Sequence, residues 1–276
     1  DIAIDLSSKF LGSADVTLLS VWLQRPEVSA RLTSLRCGDN PGMVSEHAEV
    51  FKQLTDSLKT SQVTDVDFSS CGIGGVALGH LSDWVRDATA ALTSLVLGSN
   101  PVGDEAMIGL LEALKDVSLS SLDISSTGCG ISTASKLAEL LSGATKFGAA
   151  LNSLTVDSTG NMKSQKTYTL TAGEAQIQLS QKNLGSADVA LLTAWLRRPE
   201  VSAIIESLDL SGCGLTGATI SSTNRMRGRG RPRWENVDSN MGSWIALCGV
   251  LGKIRTVRLA DCGLGGASAA ELEKMV

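Results

Sequence analysis

A segment of nineteen residues near the start of this chain returns almost unchanged 173 positions downstream. Residues 12–30 read GSADVTLLSVWLQRPEVSA, and residues 185–203 read GSADVALLTAWLRRPEVSA, with four mild differences. We call them the upstream copy and the downstream copy. A chain that copies itself at this length is built from modules, so internal repeats constrain its fold more than any other signal.

A shorter pattern runs through the regions around both copies. In most instances apolar residues lie at positions one, four, six and eleven, and Asn, Cys, Thr or Lys lies at position nine. Clear instances are LTSLVLGSNPV from Leu92 and VTDVDFSSCGI from Val63. The nine starts are residues 1, 32, 63, 92, 119, 151, 174, 205 and 254, and six of the eight separations fall between 27 and 32. A period of this size is typical of stacked repeats.

Positions four and six predict a short strand in every repeat. Both are apolar in all nine repeats: Ile4, Leu6, Leu35, Cys37, Val66, Phe68, Leu95, Leu97, Leu122, Ile124, Leu154, Val156, Ile177, Leu179, Leu208, Leu210, Val257 and Leu259. Such alternation indicates a strand with one buried face. A helical pattern follows in most repeats. In the first, Val16, Leu19, Trp22 and Leu23 recur at helical spacing, and Asp15 suits the positive end of the helix dipole. Each repeat is therefore predicted as strand, turn, helix and return.

The pattern LxxLxLxx(N/C)xL resembles the leucine-rich repeat family, and its long helical repeats resemble the ribonuclease-inhibitor-like subtype. The resemblance implies an α/β fold: a curved leucine-rich repeat solenoid with parallel strands on the concave face and helices on the convex face. We expect one continuous solenoid of two modules related by duplication. Residues 1–173 form the first, with about six repeats, and residues 174–276 form a truncated second, with about three.

Position nine lies where the chain leaves each strand, so its side chain is expected to satisfy backbone groups buried in the turn. Asn40, Asn100, Cys71, Cys213 and Cys262 occupy it, and this structural role is favoured over catalysis or metal binding. Lys9 and Lys182 depart from this pattern at position nine. Each stands shortly before one of the two copies, and we expect a different turn there.

The repeat at Leu151 lacks a helical pattern. Thr167 to Leu170 alternates like a strand and includes Tyr168, the chain's single tyrosine. We expect a hairpin or extended detour over residues 161–174, as a plain connector between modules or as a docking element.

The repeat at Ile205 is longer than the others, with an Arg-rich loop near residues 221–241. Its arginines are Arg225, Arg227, Arg229, Arg231 and Arg233. Because such a stretch cannot form a packed core, a solvated surface loop is the expected structure. GRGRPR also resembles an AT-hook core, so binding of nucleic acid or of an anionic protein or lipid surface remains an alternative, with nucleic acid the less favoured in a chain of net charge −5.

The sequence predicts no catalytic residue, no cofactor and no metal site. No nucleophile elbow, zinc-protease, phosphate-loop or dinucleotide-binding motif appears, and no CxxC pair. The two histidines, His47 and His80, are predicted to be surface residues rather than catalytic bases. We therefore expect a protein that is not an enzyme.

Composition favours a protein that has no transmembrane segment and lies in a cytoplasmic or other reducing compartment. No apolar run approaches the length of a membrane span, and the six cysteines lack a disulfide spacing. The chain begins with Asp1, so organelle import after removal of a targeting peptide stays open. The bare ends of the repeat array are expected to be covered by further repeats or other subunits.

The resemblance implies that variable strand positions form a binding face. The predicted concave-face residues are Asp5, Arg36, Asp65, Asp67, Asp123, Asp157, Glu206, Asp209, Arg255 and Arg258. We expect a protein partner of unknown identity and a role as an interaction or structural scaffold, including as a peripheral subunit of an assembly. The alternatives are a regulator or inhibitor of an enzyme through this face, and the Arg-rich loop as the binding element.

Overall fold

The computed structural model describes residues 2–44, 48–88, 90–220 and 234–274, where short strands alternate with helices. The strands are β1 (Ile2–Asp5), β2 (Leu32–Arg36), β3 (Asp65–Asp67), β4 (Ser94–Val96), β5 (Ser121–Asp123), β6 (Ser153–Asp157), β7 (Thr167–Thr171), β8 (Gln176–Gln178), β9 (Ser207–Asp209), β10 (Thr219–Ile220), β11 (Trp234–Glu235) and β12 (Thr256–Arg258). The helices are α1 (Ser13–Leu23), α2 (Pro26–Ser29), α3 (Ala48–Leu58), α4 (Gly75–Asp87), α5 (Asp104–Leu114), α6 (Ile131–Ser142), α7 (Lys146–Ala150), α8 (Ser186–Leu196), α9 (Pro199–Ser202), α10 (Gly242–Leu251) and α11 (Gly266–Glu273).

The chain divides into two compact regions. The first comprises Asp1–Thr133 and Gly143–Val156, and the second comprises Ala134–Ser142 and Asp157–Val276. The expected module boundary between residues 173 and 174 stays a prediction.

Strands β1 to β6 form a parallel sheet in chain order, each paired with the next. The position-four residues stand in register: Ile4, Leu35, Val66, Leu95, Leu122 and Leu154. In the second region β8, β9 and β12 are parallel, with Ile177, Leu208 and Val257 in register. This mixed α/β content with parallel sheets fits a leucine-rich repeat type of fold.

The position-four and position-six side chains supply much of the core. All but four of the eighteen are buried. The exceptions, Ile4, Leu6, Val257 and Leu259, are half-buried and belong to the repeats of β1 and β12. These strands lie at the edges of their sheets, so one side of each in-register row of apolar residues is open to solvent.

The turn after each strand repeats the same backbone conformation. Position eight has a positive φ, between 52° and 75°, in Ser8, Asp39, Ser70, Ser99, Ser126, Gln181, Gly212 and Asp261. Seven of these residues are not glycine, and such residues enter this region infrequently. The turn therefore imposes the conformation in both regions, and the repeat at Leu151 departs from it.

The predicted first helix is present as α1, and its helically spaced apolar residues are buried to different degrees. The Asp15 carboxylate accepts a hydrogen bond from the N–H of Gly12 at 2.9 Å, and α1 ends before Pro26, where α2 begins. Val16 and Leu23 are buried, but Leu19 and Trp22 are only half-buried.

Both irregular segments are present. Residues 151–185 contain no helix, and β7 covers the predicted alternating stretch. The N–H of Ser158 donates to the carbonyl of Lys166 at 3.0 Å, and the N–H of Lys166 donates to the Ser158 hydroxyl at 2.9 Å. The segment thus returns on itself as a closed loop.

The second irregularity is bounded by an antiparallel pair, β10 with β11. The five arginines of the predicted Arg-rich loop lie between these strands in the sequence, outside the described residues. His47, in a different part of the chain, is also outside the described residues. Their predicted roles stay predictions.

Candidate protein-binding face

The parallel register places mostly polar side chains in two rows on the sheet of the first region. The position-five row contains Arg36, Asp67, Val96, Asp123 and Thr155. The position-three row contains Ser34, Asp65, Ser94, Ser121 and Ser153. These residues alternate with the buried position-four residues and are half-buried or exposed. We call the two rows, extended by Asp5 of β1, the strand face.

The strand face brings two predicted site residues into contact. The guanidinium of Arg36 lies 3.3 Å from the Asp65 carboxylate, which also accepts a 3.0 Å hydrogen bond from the Ser34 hydroxyl. The Arg36 side chain is 53% exposed, so the pair contributes little to stability and remains open to a partner.

Four predicted aspartates share a role that the sequence analysis missed. One oxygen of Asp5, Asp67, Asp123 and Asp209 accepts a hydrogen bond of 2.9 Å from the N–H of the serine two residues later. This is the local side-chain-to-backbone bond of an Asx turn. The bond from Ser211 lowers the pKa of Asp209, helped by Arg258 in the adjacent strand. The signal was readable, because residues 5–7, 67–69, 123–125 and 209–211 all read Asp-apolar-Ser.

The remaining predicted site residues lie in the second region, where Gln178, Asp209 and Arg258 form a shorter row across three strands. Asp157 accepts a 2.6 Å hydrogen bond from the Thr167 hydroxyl. Glu206 and Arg255 are exposed and directly precede β9 and β12, and Arg258 is exposed in β12. Asp209 and Arg258 are the pair that this region brings into register.

The position-nine asparagines have the predicted structural role. Asn100 accepts hydrogen bonds from the N–H groups of Cys71 and Ile73, at 3.0 and 2.9 Å. Its amide donates to the carbonyls of Phe68 and Leu97, both at 2.8 Å. Asn40 makes the equivalent bonds two repeats earlier. Each buried amide thus joins the turns of two adjacent repeats.

The position-nine cysteines extend this ladder. The thiols of Cys71, Cys213 and Cys262 donate to the carbonyls of the preceding repeat, at 3.0, 3.3 and 3.2 Å. All six cysteines lie within the described residues, where they are buried and form no disulfide. Burial raises the pKa of Cys71 to about 12 and that of Cys262 to about 11, which disfavours a reactive thiolate.

A buried polar cluster at the start of α8 was not predicted. Asp188 is 1% exposed, and one oxygen accepts bonds of 2.7 Å from the N–H groups of Gly185 and Thr159 and from the Thr159 hydroxyl. Its other oxygen accepts the Tyr168 hydroxyl at 2.9 Å. Burial raises the pKa of Asp188, although the bonds from Gly185 and Thr159 act in the opposite direction. Sequence reasoning could not find this cluster, because its donors lie up to 29 residues away.

The structure corrects the prediction for one of the two histidines. His80 was predicted to be a surface residue but is half-buried in α4, and its Nε2 has no hydrogen-bond partner there. Burial of the adjoining helix face accounts for this correction, since Ala77, Leu78 and Leu81 are all in the core. The described ranges contain no group of three metal-ligating side chains. They also contain no helix with the length and apolarity that crossing a membrane requires.

Comparison with known proteins finds a leucine-rich repeat within the chain. A leucine-rich repeat family model matches residues 91–111, which span β4 and most of α5. Among solved structures, leiomodin-1 actin-binding site 2 is similar with a TM-score of 0.42 and 18% identity, over 51% of this chain and 78% of that one. A comparison with curated proteins gives no match.

Proposed function

We propose that this chain is a non-enzymatic leucine-rich repeat protein that binds a protein partner as an interaction or structural scaffold, including as a peripheral subunit of an assembly. The proposal includes the finer architecture: a curved solenoid of the ribonuclease-inhibitor-like subtype with a duplicated module. The observation that carries it is the strand face, where the five parallel strands β2 to β6 hold two rows of mostly polar side chains in register and β1 adds Asp5.

The chemistry of the strand face favours a basic partner bound through charge. Asp5, Asp65, Asp67 and Asp123 are acidic, against the single arginine Arg36. The face lacks the tryptophan and tyrosine anchors that dominate tight interfaces. The Asx turns use one carboxylate oxygen of Asp67 and one of Asp123, so the negative charge is held in a fixed orientation. Complementary charge of this kind steers association and is weakened by salt.

Neutralisation of the face tests the proposal without breaking the turns. Asp65→Asn, Asp67→Asn and Asp123→Asn are combined, because asparagine retains a side-chain oxygen for the turn bond. The exposed Asp116→Asn serves as a control of matched chemistry away from the strands. Partners that co-purify with each tagged protein at low and high salt are quantified by mass spectrometry.

We expect a partner that the native chain and the control retain at low salt and that the triple variant loses. Recovery that is unchanged by the three substitutions would remove the strand face from the proposal.

A further inference from the structure

Described residues of both irregular segments line one cavity in the second region. Its volume is about 440 Å³, within the range of about 300–1,000 Å³ that is typical of small-molecule sites. The loop between β6 and β7 contributes Lys166, and the antiparallel pair contributes Ile220 from β10 and Trp234 from β11. The position-eight residues of three adjacent repeats also line it: Gln181, Gly212 and Asp261. This cavity, which we call the Trp234 cavity, therefore depends on both departures from the repeat pattern.

Trp234 gives the cavity a flat apolar wall that the repeats hold in place. A methyl group added at Gly263 would stand 2.6 Å from Cδ2 of the indole, and one added at Gly214 would stand 3.5 Å from its Cζ3. These glycines occupy position ten of two adjacent repeats, so the indole packs against both turns. Trp234 is half-buried, and its strand partner Ile220 is 51% exposed. An aromatic ring held in this way suits stacking with a planar ligand group.

Lys166 supplies a positive charge to the same cavity. Its ammonium donates a hydrogen bond to the carbonyl of Gln181 at 2.7 Å, which holds the charge at the turn after β8 and uses one of three N–H donors. The Asn183 amide donates to the carbonyl of Ser164 at 3.1 Å, so the loop that carries the lysine is fastened to the same turn. A compact ammonium of this kind is a common ligand of phosphate.

Asp261 supplies an acceptor near the indole and away from the ammonium. It is exposed, and its repeat contains Gly263, against which Trp234 packs. Gln181 and Asp261 belong to the repeats of β8 and β12, with β9 between them. Because neighbouring strands lie about 4.8 Å apart, the ammonium and the carboxylate are separated by about 10 Å. The indole packs on the repeats of β9 and β12, so it lies towards the carboxylate.

We propose that the Trp234 cavity binds a nucleotide. The base stacks on the indole of Trp234, the phosphate meets the ammonium of Lys166, and Asp261 accepts a hydrogen bond from a ribose hydroxyl or a base amino group. A nucleotide carries a planar group, a hydroxylated sugar and an anion in that order, over a comparable span. The shared chemistry could come from a free nucleotide or from single-stranded RNA.

Other ligand classes use only part of the cavity. A simple anion would leave the apolar wall unused and would face the carboxylate of Asp261. A neutral sugar would leave the charge of Lys166 without a counter-charge. This cavity is separate from the strand face, so the present inference and the proposed function stand or fall independently.

The test is calorimetric titration of the full chain with three probes: adenosine monophosphate, adenosine, and single-stranded hexa-adenylate RNA. The variants are Trp234→Ala and Lys166→Gln. Lys163→Gln is the matched control, because Lys163 is an exposed lysine of the same loop that does not line the cavity. Circular dichroism checks the folding of Trp234→Ala. Lys166 is exposed, so its comparison decides the proposal even where the tryptophan variant does not fold.

We expect adenosine monophosphate or the hexanucleotide to bind, and Trp234→Ala to weaken binding by about tenfold or more through lost stacking. Lys166→Gln should weaken binding by about tenfold and abolish the preference for adenosine monophosphate over adenosine, whereas Lys163→Gln should change neither. Tighter binding of the monophosphate than of the hexanucleotide per site assigns the cavity to a free nucleotide, and the reverse assigns it to a single strand.

Two results would overturn the proposal. One is the absence of binding of both phosphate-bearing probes at millimolar concentration. The other is binding that Lys166→Gln leaves unchanged but that disappears when the five arginines of the Arg-rich loop are replaced by glutamine, which would assign the ligand to that loop instead.

Discussion

The phenol of Tyr168 donates a 2.9 Å hydrogen bond to the carboxylate of Asp188, and both side chains are buried. That carboxylate also gathers three donors from Gly185 and Thr159. The bonds fasten the loop before α8 to the first turn of this helix. In the upstream copy the equivalent carboxylate, Asp15, is exposed. The same local sequence therefore caps its helix in both copies, but it links neighbouring segments in only one.

Tyr168→Phe should lower the free energy of unfolding by about 1–3 kcal/mol, since it removes one hydrogen bond to a buried carboxylate and leaves the ring in place. Urea unfolding followed by circular dichroism measures the change. Thr167→Val, which removes an exposed bond to Asp157, is the comparison and should cost less. A cost for Tyr168→Phe no greater than that of the comparison would show that the buried bond adds little.

Asp188 should make stability depend on pH in a defined direction. Its folded pKa is raised by burial above the ordinary value of 3.8, so the native state holds the proton more tightly than the unfolded state. Its contribution is fully present below about pH 3.8 and is lost as pH rises through the raised pKa. The free energy of unfolding of the wild type should therefore fall relative to that of Asp188→Asn as pH rises. Unfolding titrations at several pH values measure it, and a difference that grows with pH would contradict the assignment.

Asn100→Ala should destabilise the protein by about 2–4 kcal/mol, because it leaves buried backbone groups of two adjacent turns without partners. Equilibrium unfolding by urea measures the loss. Asn152→Ala is the matched control, since the exposed Asn152 amide makes a bond of 3.1 Å to the Ser120 hydroxyl. Equal costs for the two variants would show that the position-nine ladder does not hold the repeats together.

Gly185→Ala and Gly12→Ala form a natural pair, because both glycines precede the first turn of the same helix sequence. The added methyl group at residue 185 meets the Gly160 backbone and should cost about 1–3 kcal/mol through overpacking. At residue 12 the space is open, so the cost should stay below about 1 kcal/mol, from helix capping alone. Thermal unfolding of both variants gives the difference. Equal stability losses for the two variants would show that burial of the downstream copy does not depend on packing against Gly160.

Much of the fold could be predicted from the pattern of apolar residues. Leu95, Leu122 and Leu154 were predicted as equivalent core positions, and they stand in register in adjacent strands. The role of Asn100 followed from one rule, that a buried turn must satisfy its own backbone groups. The Asp-apolar-Ser turns were equally readable from spacing, but Asp67 and Asp123 were interpreted through their charge alone.

Burial of the helices could not be predicted in this way. Leu18 and Leu191 lie at the same place in nearly the same local sequence, yet one is exposed and the other is buried. Exposure depends on which segment packs against the helix, and that segment comes from a different part of the chain. His80 and the Asp188 cluster escaped prediction for the same reason.

The sequence by itself determined the strand, the turn and the helix of most repeats, because alternation, capping and turn chemistry act between residues close in the chain. The tertiary structure alone decided which copy of a duplicated helix is covered and which carboxylate is buried. Those outcomes depend on contacts between distant segments, and identical local sequences carry no record of them.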